Sequence, residues 1–247
     1  MKTVKVFTYL DRETSPFLPL WIKYYTENIK ADLTILRRNA HLGNLKLSTD
    51  IEVIEIDHLL DNFQSGERVV PSSIFNEYQK ESLQSYDVVI YCDLDEFIVH
   101  ENLDEVVRSD FSTCLVTTGV EIVQRHSIDP DFNFKESVIS QRNYMVKSTW
   151  YDKPLIVSSP ITWELGKHNH NTFNNYVEGL YLVHLGRICL NTHLTLNQES
   201  INMYPSSTYL EKFDKDWYIQ NFNNPFHTEQ PMVEIPDNVK TLLSKIL

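Results

Sequence analysis

Cysteine, basic charge and long apolar runs are all scarce in this 247-residue chain, and each shortage closes off a class of protein. The three cysteines, Cys92, Cys114 and Cys189, cannot all pair and their spacing fits no zinc pattern, which excludes a disulfide scaffold and points to a reduced cytoplasm. Lys and Arg number 22 against 34 Asp and Glu, a formal net charge of −12. A general nucleic-acid binder needs a basic face to displace counterions, so that class is set aside. No apolar run approaches the roughly 18 residues of a membrane span, and residues 1–7 carry no signal-peptide hydrophobic stretch. The expectation is a soluble cytoplasmic protein, able to work at the inner face of a membrane. Internal repeats, low-complexity linkers and blocks of like charge are also missing, so one domain over residues 1–247 is the simplest account.

Against these absences stands one short run, Asp87-Val88-Val89-Ile90-Tyr91-Cys92-Asp93-Leu94-Asp95-Glu96-Phe97. Its β-branched and aromatic residues read as a strand covered on both faces, and it stops at two aspartates one residue apart. In open α/β sheets ligands bind beyond the carboxyl ends of the strands, which is where Asp93 and Asp95 fall. If the backbone stays extended there, both carboxylates point the same way and meet one cation. A hard ion, Mn²⁺ or Mg²⁺, suits them, since it is usually held by one or two carboxylates together with substrate phosphates. Acidic residues also end strands as solvated turns and helix caps. Here three acids in four residues repel one another, and a cation relieves that repulsion.

Strands and helices alternate through the first half. Residues 4–10 read as a strand, and Ser15-Pro16 as the N-cap and first turn of a helix. Its aromatic face comprises Phe17, Leu20, Trp21, Tyr24, Tyr25 and Asn28. Residues 33–36 and 51–56 supply two more strands, and a helix opening at Ser72 or Ser73 leads to the Asp87 strand. This β-α-β-β-α-β order predicts an α/β fold with a mostly parallel, doubly wound sheet flanked by helices. Further strands are expected at 115–123, 153–157 and 180–185, and a terminal helix at 239–247. Residues 1–110 form the nucleotide-binding half on this reading, 111–200 the acceptor and metal half, and 201–247 a C-terminal wrap containing Pro205, Pro225, Pro231 and Pro236.

Four segments in order carry a resemblance: Tyr91-Cys92-Asp93-Leu94-Asp95-Glu96-Phe97; Lys153-Pro154-Leu155-Ile156-Val157; Trp163-Glu164-Leu165-Gly166-Lys167-His168-Asn169; and Leu180-Tyr181-Leu182-Val183-His184-Leu185-Gly186-Arg187. Together they resemble the GT-A-fold glycosyltransferases, closest to the family-2-like and family-92-like group. Its members show a D-x-D-E-F element, a Lys-initiated strand, a G-x-H turn and a late L-x-H strand. The resemblance covers about residues 1–195.

The resemblance implies a metal-dependent transferase that moves a sugar from a nucleotide-sugar donor to a glycan or lipid-linked acceptor, in a bacterial surface-polysaccharide pathway and with inversion. It implies that Asp93 and Asp95 hold the metal, with His168 as first candidate for the third ligand and His184 as second. Tyr9, Arg12, Asp93, Lys153 and Arg187 are its candidates for the donor, Trp163 and Glu121 for the acceptor. Arg37-Arg38 stand where family-2 enzymes usually show acids, so the nucleobase stays open. Inversion needs a general base for the acceptor hydroxyl. Glu164 is the choice, with Glu121 and Asp152 as alternatives. Two other classes share parts of the pattern. A haloacid-dehalogenase-type phosphohydrolase also sets D-x-D at a strand end, but continues with a small pair where this chain has Glu96-Phe97. A non-catalytic nucleotide- or glycan-binding module with a relict GT-A fold would keep the strands and lose the base or metal site.

Overall fold

The β-branched and aromatic runs of the first half form strands β1 (Val4–Leu10), β2 (Asp32–Arg37), β3 (Ile51–Glu55) and β4 (Val88–Tyr91). In the computed structural model they pair in parallel in the order β3-β2-β1-β4. The structure describes residues 1–11, 15–38, 50–59, 70–125, 128–164, 167, 175–203 and 231–246. From β1 the chain passes through helix α1 (Phe17–Asn28) to β2 on one side, while β4, reached through α2 (Ser72–Ser82), lies on the other. The boundary between β1 and β4 is therefore a topological switch point, the place where ligands settle in open α/β sheets.

Leu18 of α1 clusters with Leu10 and Ile35, while α2 packs Phe75 on Tyr9 and Tyr78 on Phe7, positions that alternate with Leu10 along β1. The two helices therefore cover opposite faces of this parallel centre, the doubly wound arrangement expected from element order. Helix α1 buries Phe17, Leu20, Trp21, Tyr24 and Tyr25, the stripe its spacing predicts. Tyr24 and Tyr25 donate from their hydroxyls to the carbonyls of Ile98 and Glu96. Ser15 does not cap it; Pro16 occupies the N-cap, and Leu18 donates its N–H to the Ser15 carbonyl at 3.3 Å. Helix α2 sets Phe75 and Tyr78 against Tyr91 and Phe7, ring centroids 5.0 and 4.8 Å apart.

The second half extends the sheet with mixed pairing. Strand β5 (Glu96–Val99) follows β4 after a turn and pairs antiparallel with β9 (Tyr176–His184). Beyond helix α3 (Leu103–Arg108), the long β6 (Cys114–Ile122) runs parallel to β9. Past the short α4 (Val138–Gln141), β7 (Tyr144–Lys147) lies antiparallel on β6. The two-residue β8 (Ile156–Val157) links β4 to β6. Helix α5 (Leu190–Met203) follows β9; β10 (Val233–Glu234) pairs with β7, and α6 (Asp237–Leu243) buries Val239, Leu242 and Leu243. Only the last two residues of the expected 153–157 strand are regular. Lys153 and Leu155 nevertheless accept backbone bonds from Thr117 and Tyr91, so the segment threads between β4 and β6 and delivers Lys153 to the end of the central sheet. Most of the expected C-terminal wrap lies outside the described residues.

Candidate active site

Strand register gathers the site. Because β9 lies between β5 and β6, His184 stands in register with Glu96 on one side and Glu121 on the other. The backbone between β4 and β5 is not extended. Glu96 donates its N–H to the Asp93 carbonyl at 3.0 Å, closing a turn over Leu94 and Asp95. The turn divides the two aspartates between two sets of partners, where an extended backbone would have aimed them together. Asp93 accepts from the Tyr91 hydroxyl and faces Lys167 at 3.6 Å and Lys153 at 3.8 Å. Asp95 faces His184, Oδ2 to Nε2 at 3.4 Å. Their side chains remain 39% and 31% exposed, so both carboxylates still open to solvent.

His184 is the hub of the second set. Its Nδ1 lies 2.9 Å from Glu121 Oε1, and its ring stacks on Tyr151 with centroids 4.2 Å apart. Two glycines make this possible. A Cβ on Gly186 would lie 2.4 Å from His184 Cε1 and 3.1 Å from Asp95 Oδ2. One on Gly119 would lie 2.2 Å from the Ser148 carbonyl oxygen and 2.5 Å from Tyr151 Cβ, pushing away the turn that brings Tyr151 onto the histidine.

The electrostatics follow from burial set against pairing. Burial disfavours charged His184, but Asp95 and Glu121 outweigh it and raise its pKa to about 10. Burial likewise opposes the Asp93 carboxylate, yet Lys167 and then Lys153 hold its pKa far below the ordinary carboxylate range. Asp95 is lowered in the same way, with His184 overcoming burial. Glu96, 1% exposed, is raised by burial despite direct contact with Lys153. Lys153 is raised, Glu96 and Asp93 prevailing over burial. Lys167 is lowered by burial against the pull of Asp93.

The site residues expected from sequence separate accordingly. Asp93, Asp95, Lys153, Arg187, Glu121 and His184 come together. Lys153 is committed to Glu96, and Arg187 Nε lies 3.6 Å from Glu121 Oε1. Tyr9, half-buried at the end of β1, packs edge-on to Phe75. Glu164 is exposed, and its carbonyl accepts the Lys167 N–H at 2.9 Å. Arg12 and His168 lie outside the described residues. Two acceptor assignments are corrected. Trp163 is fully buried and its Nε1 donates to the Pro154 carbonyl at 2.9 Å, leaving no face for a sugar. Glu121, 2% exposed, stands behind His184 and Arg187 and cannot reach an acceptor. Arg37 and Arg38 are turned to Glu55 and Asp57. Sequence reasoning missed Lys167 as a site residue, although it stands inside the quoted G-x-H turn. It also missed Tyr151, whose only signal is its place beside Asp152-Lys153.

The donor set suits a divalent ion. Asp95 offers oxygen and His184 Nε2 nitrogen, and the carboxylate on His184 Nδ1 repeats the carboxylate–histidine arrangement that orients imidazole ligands. Among the described residues no three His, Cys, Asp or Glu side chains already converge as a ligand shell.

No protein-family model matches the chain, and no curated protein does. Among solved structures it is similar to the galactosyltransferase LgtC in complex with donor and acceptor sugar analogues, at 12% identity over 88% of this chain and 69% of that one, TM-score 0.29. It is also similar to the apo-form glycosyltransferase GlyE of Streptococcus pneumoniae, at 11% identity over 90% and 42%, TM-score 0.29. A putative glucose-1-phosphate thymidylyltransferase from Bacillus anthracis matches at 9% identity over 99% and 94%, TM-score 0.33. Likenesses this distant decide nothing about the site, whose chemistry is read from the chain's own residues.

Proposed function

We propose that the chain is a glycosyltransferase that takes a sugar from a nucleotide-sugar donor to a glycan or lipid-linked acceptor. The observation that supports this most is the position of Asp93 and Asp95, partly exposed carboxylates in the turn that leaves β4 at the switch point with β1. The four ordered motifs of the sequence resemblance point the same way.

On this reading Asp95 and His184 hold Mn²⁺ or Mg²⁺ with Asp93 beside them, and the ion, when bound, stabilises charge growing on the departing nucleoside diphosphate. Glu121 fixes the His184 ring through Nδ1, and Tyr151 covers its face. Glu164, exposed next to the Lys167 turn, takes the acceptor hydroxyl proton as that oxygen bonds to the anomeric carbon from the face opposite the departing diphosphate, whose C–O bond breaks, and the centre is inverted. The sequence resemblance is what points the acceptor to bacterial surface-polysaccharide synthesis.

Thermal denaturation with UDP, GDP and CDP tests the reading, because a ligand that binds only the native state raises the melting temperature. One of the three is expected to stabilise the protein in Mn²⁺ and much less in EDTA, and its sugar conjugate to be slowly hydrolysed. No stabilisation by any of them, with no hydrolysis of UDP-, GDP- or CDP-sugars, rules the donor site out.

A further inference from the structure

We propose that Lys167 grips the diphosphate of the donor, its ammonium held ready by Asp93 and two aromatic rings, and that this grip works without a metal ion. The assignment deepens the donor-site reading above and rests on it.

Lys167 Nζ lies 3.8 Å from the Tyr91 ring centroid, 4.3 Å from that of Phe75 and 3.6 Å from Asp93 Oδ1. Its side chain is 10% exposed. Its backbone sits at φ 59, a left-handed conformation that disfavours a Cβ-bearing residue. The neighbouring rings alone do not call for a charge, since a methionine would fill the same slot with no ammonium to desolvate. The other two cations near the aspartates are turned toward deeply buried acids, Lys153 to Glu96 and Arg187 to Glu121. Lys167 differs, because its carboxylate partner Asp93 is the one most open to solvent. An ammonium carries three donors and no acceptor, so an ion pair with Asp93 at 3.6 Å leaves N–H groups for phosphate oxygens arriving over that carboxylate. Asp93 then anchors a lysine, and the D-x-D pair divides its work, Asp95 toward His184 and Asp93 toward Lys167.

The full chain is titrated with UDP, GDP and CDP in Mn²⁺ and with inorganic pyrophosphate in EDTA, following heats of binding and melting temperature. Lys167→Met keeps the apolar stem and drops the charge. It is expected to raise the Kd of the bound nucleoside diphosphate about 10- to 100-fold and to abolish pyrophosphate stabilisation in EDTA, with the parent nucleoside's affinity unchanged. Lys167→Arg, which keeps the charge, is expected to retain most of both, and it carries the test if the methionine variant does not fold; loss in arginine as complete as full removal of the site overturns the grip. Equal nucleotide binding by wild type and Lys167→Met overturns the lysine and leaves the donor site standing. Pyrophosphate binding that depends on Lys167, in a protein that binds none of the three nucleotides, supports the grip and removes the donor. No pyrophosphate stabilisation of the wild type overturns the metal-free grip.

Discussion

His184 Nδ1 meets the buried carboxylate of Glu121 at 2.9 Å, two residues brought side by side by the register of β6 and β9. The bond sets which face of the imidazole is left for Asp95, and so for an ion. Glu121→Gln keeps the shape and a hydrogen bond but removes the charge. Loss of a partner of this kind typically weakens metal binding 10- to 100-fold, and about that loss is expected in Mn²⁺ affinity by calorimetry. Unchanged affinity would assign Glu121 to packing alone.

His184, kept charged against burial by Asp95 and then Glu121, also makes stability depend on pH in the metal-free protein. His184 titrates at about 10 when folded against 6.5 as an unperturbed group, so between these values the native state holds a proton that the unfolded chain has lost. Its contribution, at most about 5 kcal/mol, is fully present below pH 6.5 and fades as pH rises through 10. Urea unfolding in EDTA at pH 6, 8 and 10 is expected to show wild type losing its advantage over His184→Gln as pH rises. A gap that stays constant over that range would place the histidine's proton elsewhere.

Gly186 is required by close approach. The added methyl of Gly186→Ala falls 2.4 Å from His184 Cε1 and 2.8 Å from Nε2, far inside van der Waals contact, and the ring must move away from Asp95. Expected is a stability loss of about 1–3 kcal/mol together with loss of Mn²⁺-dependent nucleotide binding. Retention of that binding at full strength would separate His184 from the metal.

How much of this was legible beforehand depends on the range of the interaction concerned. The central strands announce themselves because a β-branched run such as Val88–Tyr91 has few other homes, and the aromatic face of α1 follows from spacing alone. The acids at the sheet edge were legible for the same local reason. What escaped depends on distant partners. Glu96 begins a buried strand because Lys153, 57 residues later, reaches its carboxylate, and nothing near Glu96 announces that. Glu121 passes for an acceptor contact until β9, 63 residues on, brings His184 in front of it. Helix α5, rich in Asn and Thr, gives a weak periodic signal, and the turn over Leu94 and Asp95 replaced the extended edge that a strand reading projects. Trp163 passes for a sugar platform because the same ring serves surface and core equally; its Nε1 partner, Pro154, lies nine residues back and fixes it inside.

The Lys153–Glu96 pair is the most deeply buried charge contact among the described residues, with side chains 5% and 2% exposed. Lys153→Met strands Glu96 without its counter-charge, and breaking such a pair from one side costs about 3–5 kcal/mol. Burial already raises the Glu96 carboxyl, and without Lys153 it rises further. The folded variant then takes up a proton that the unfolded chain, with an ordinary glutamate, does not, so its stability falls as pH rises and the deficit against wild type is larger at pH 8 than at pH 5. Removing both charges in Lys153→Met with Glu96→Leu is expected to recover most of the loss, since a matched apolar pair has no uncompensated ion to bury. Urea denaturation of the wild type, the single variant and the double variant checks this. A double variant no more stable than Lys153→Met alone would show that the stranded charge of Glu96 is not the source of the loss.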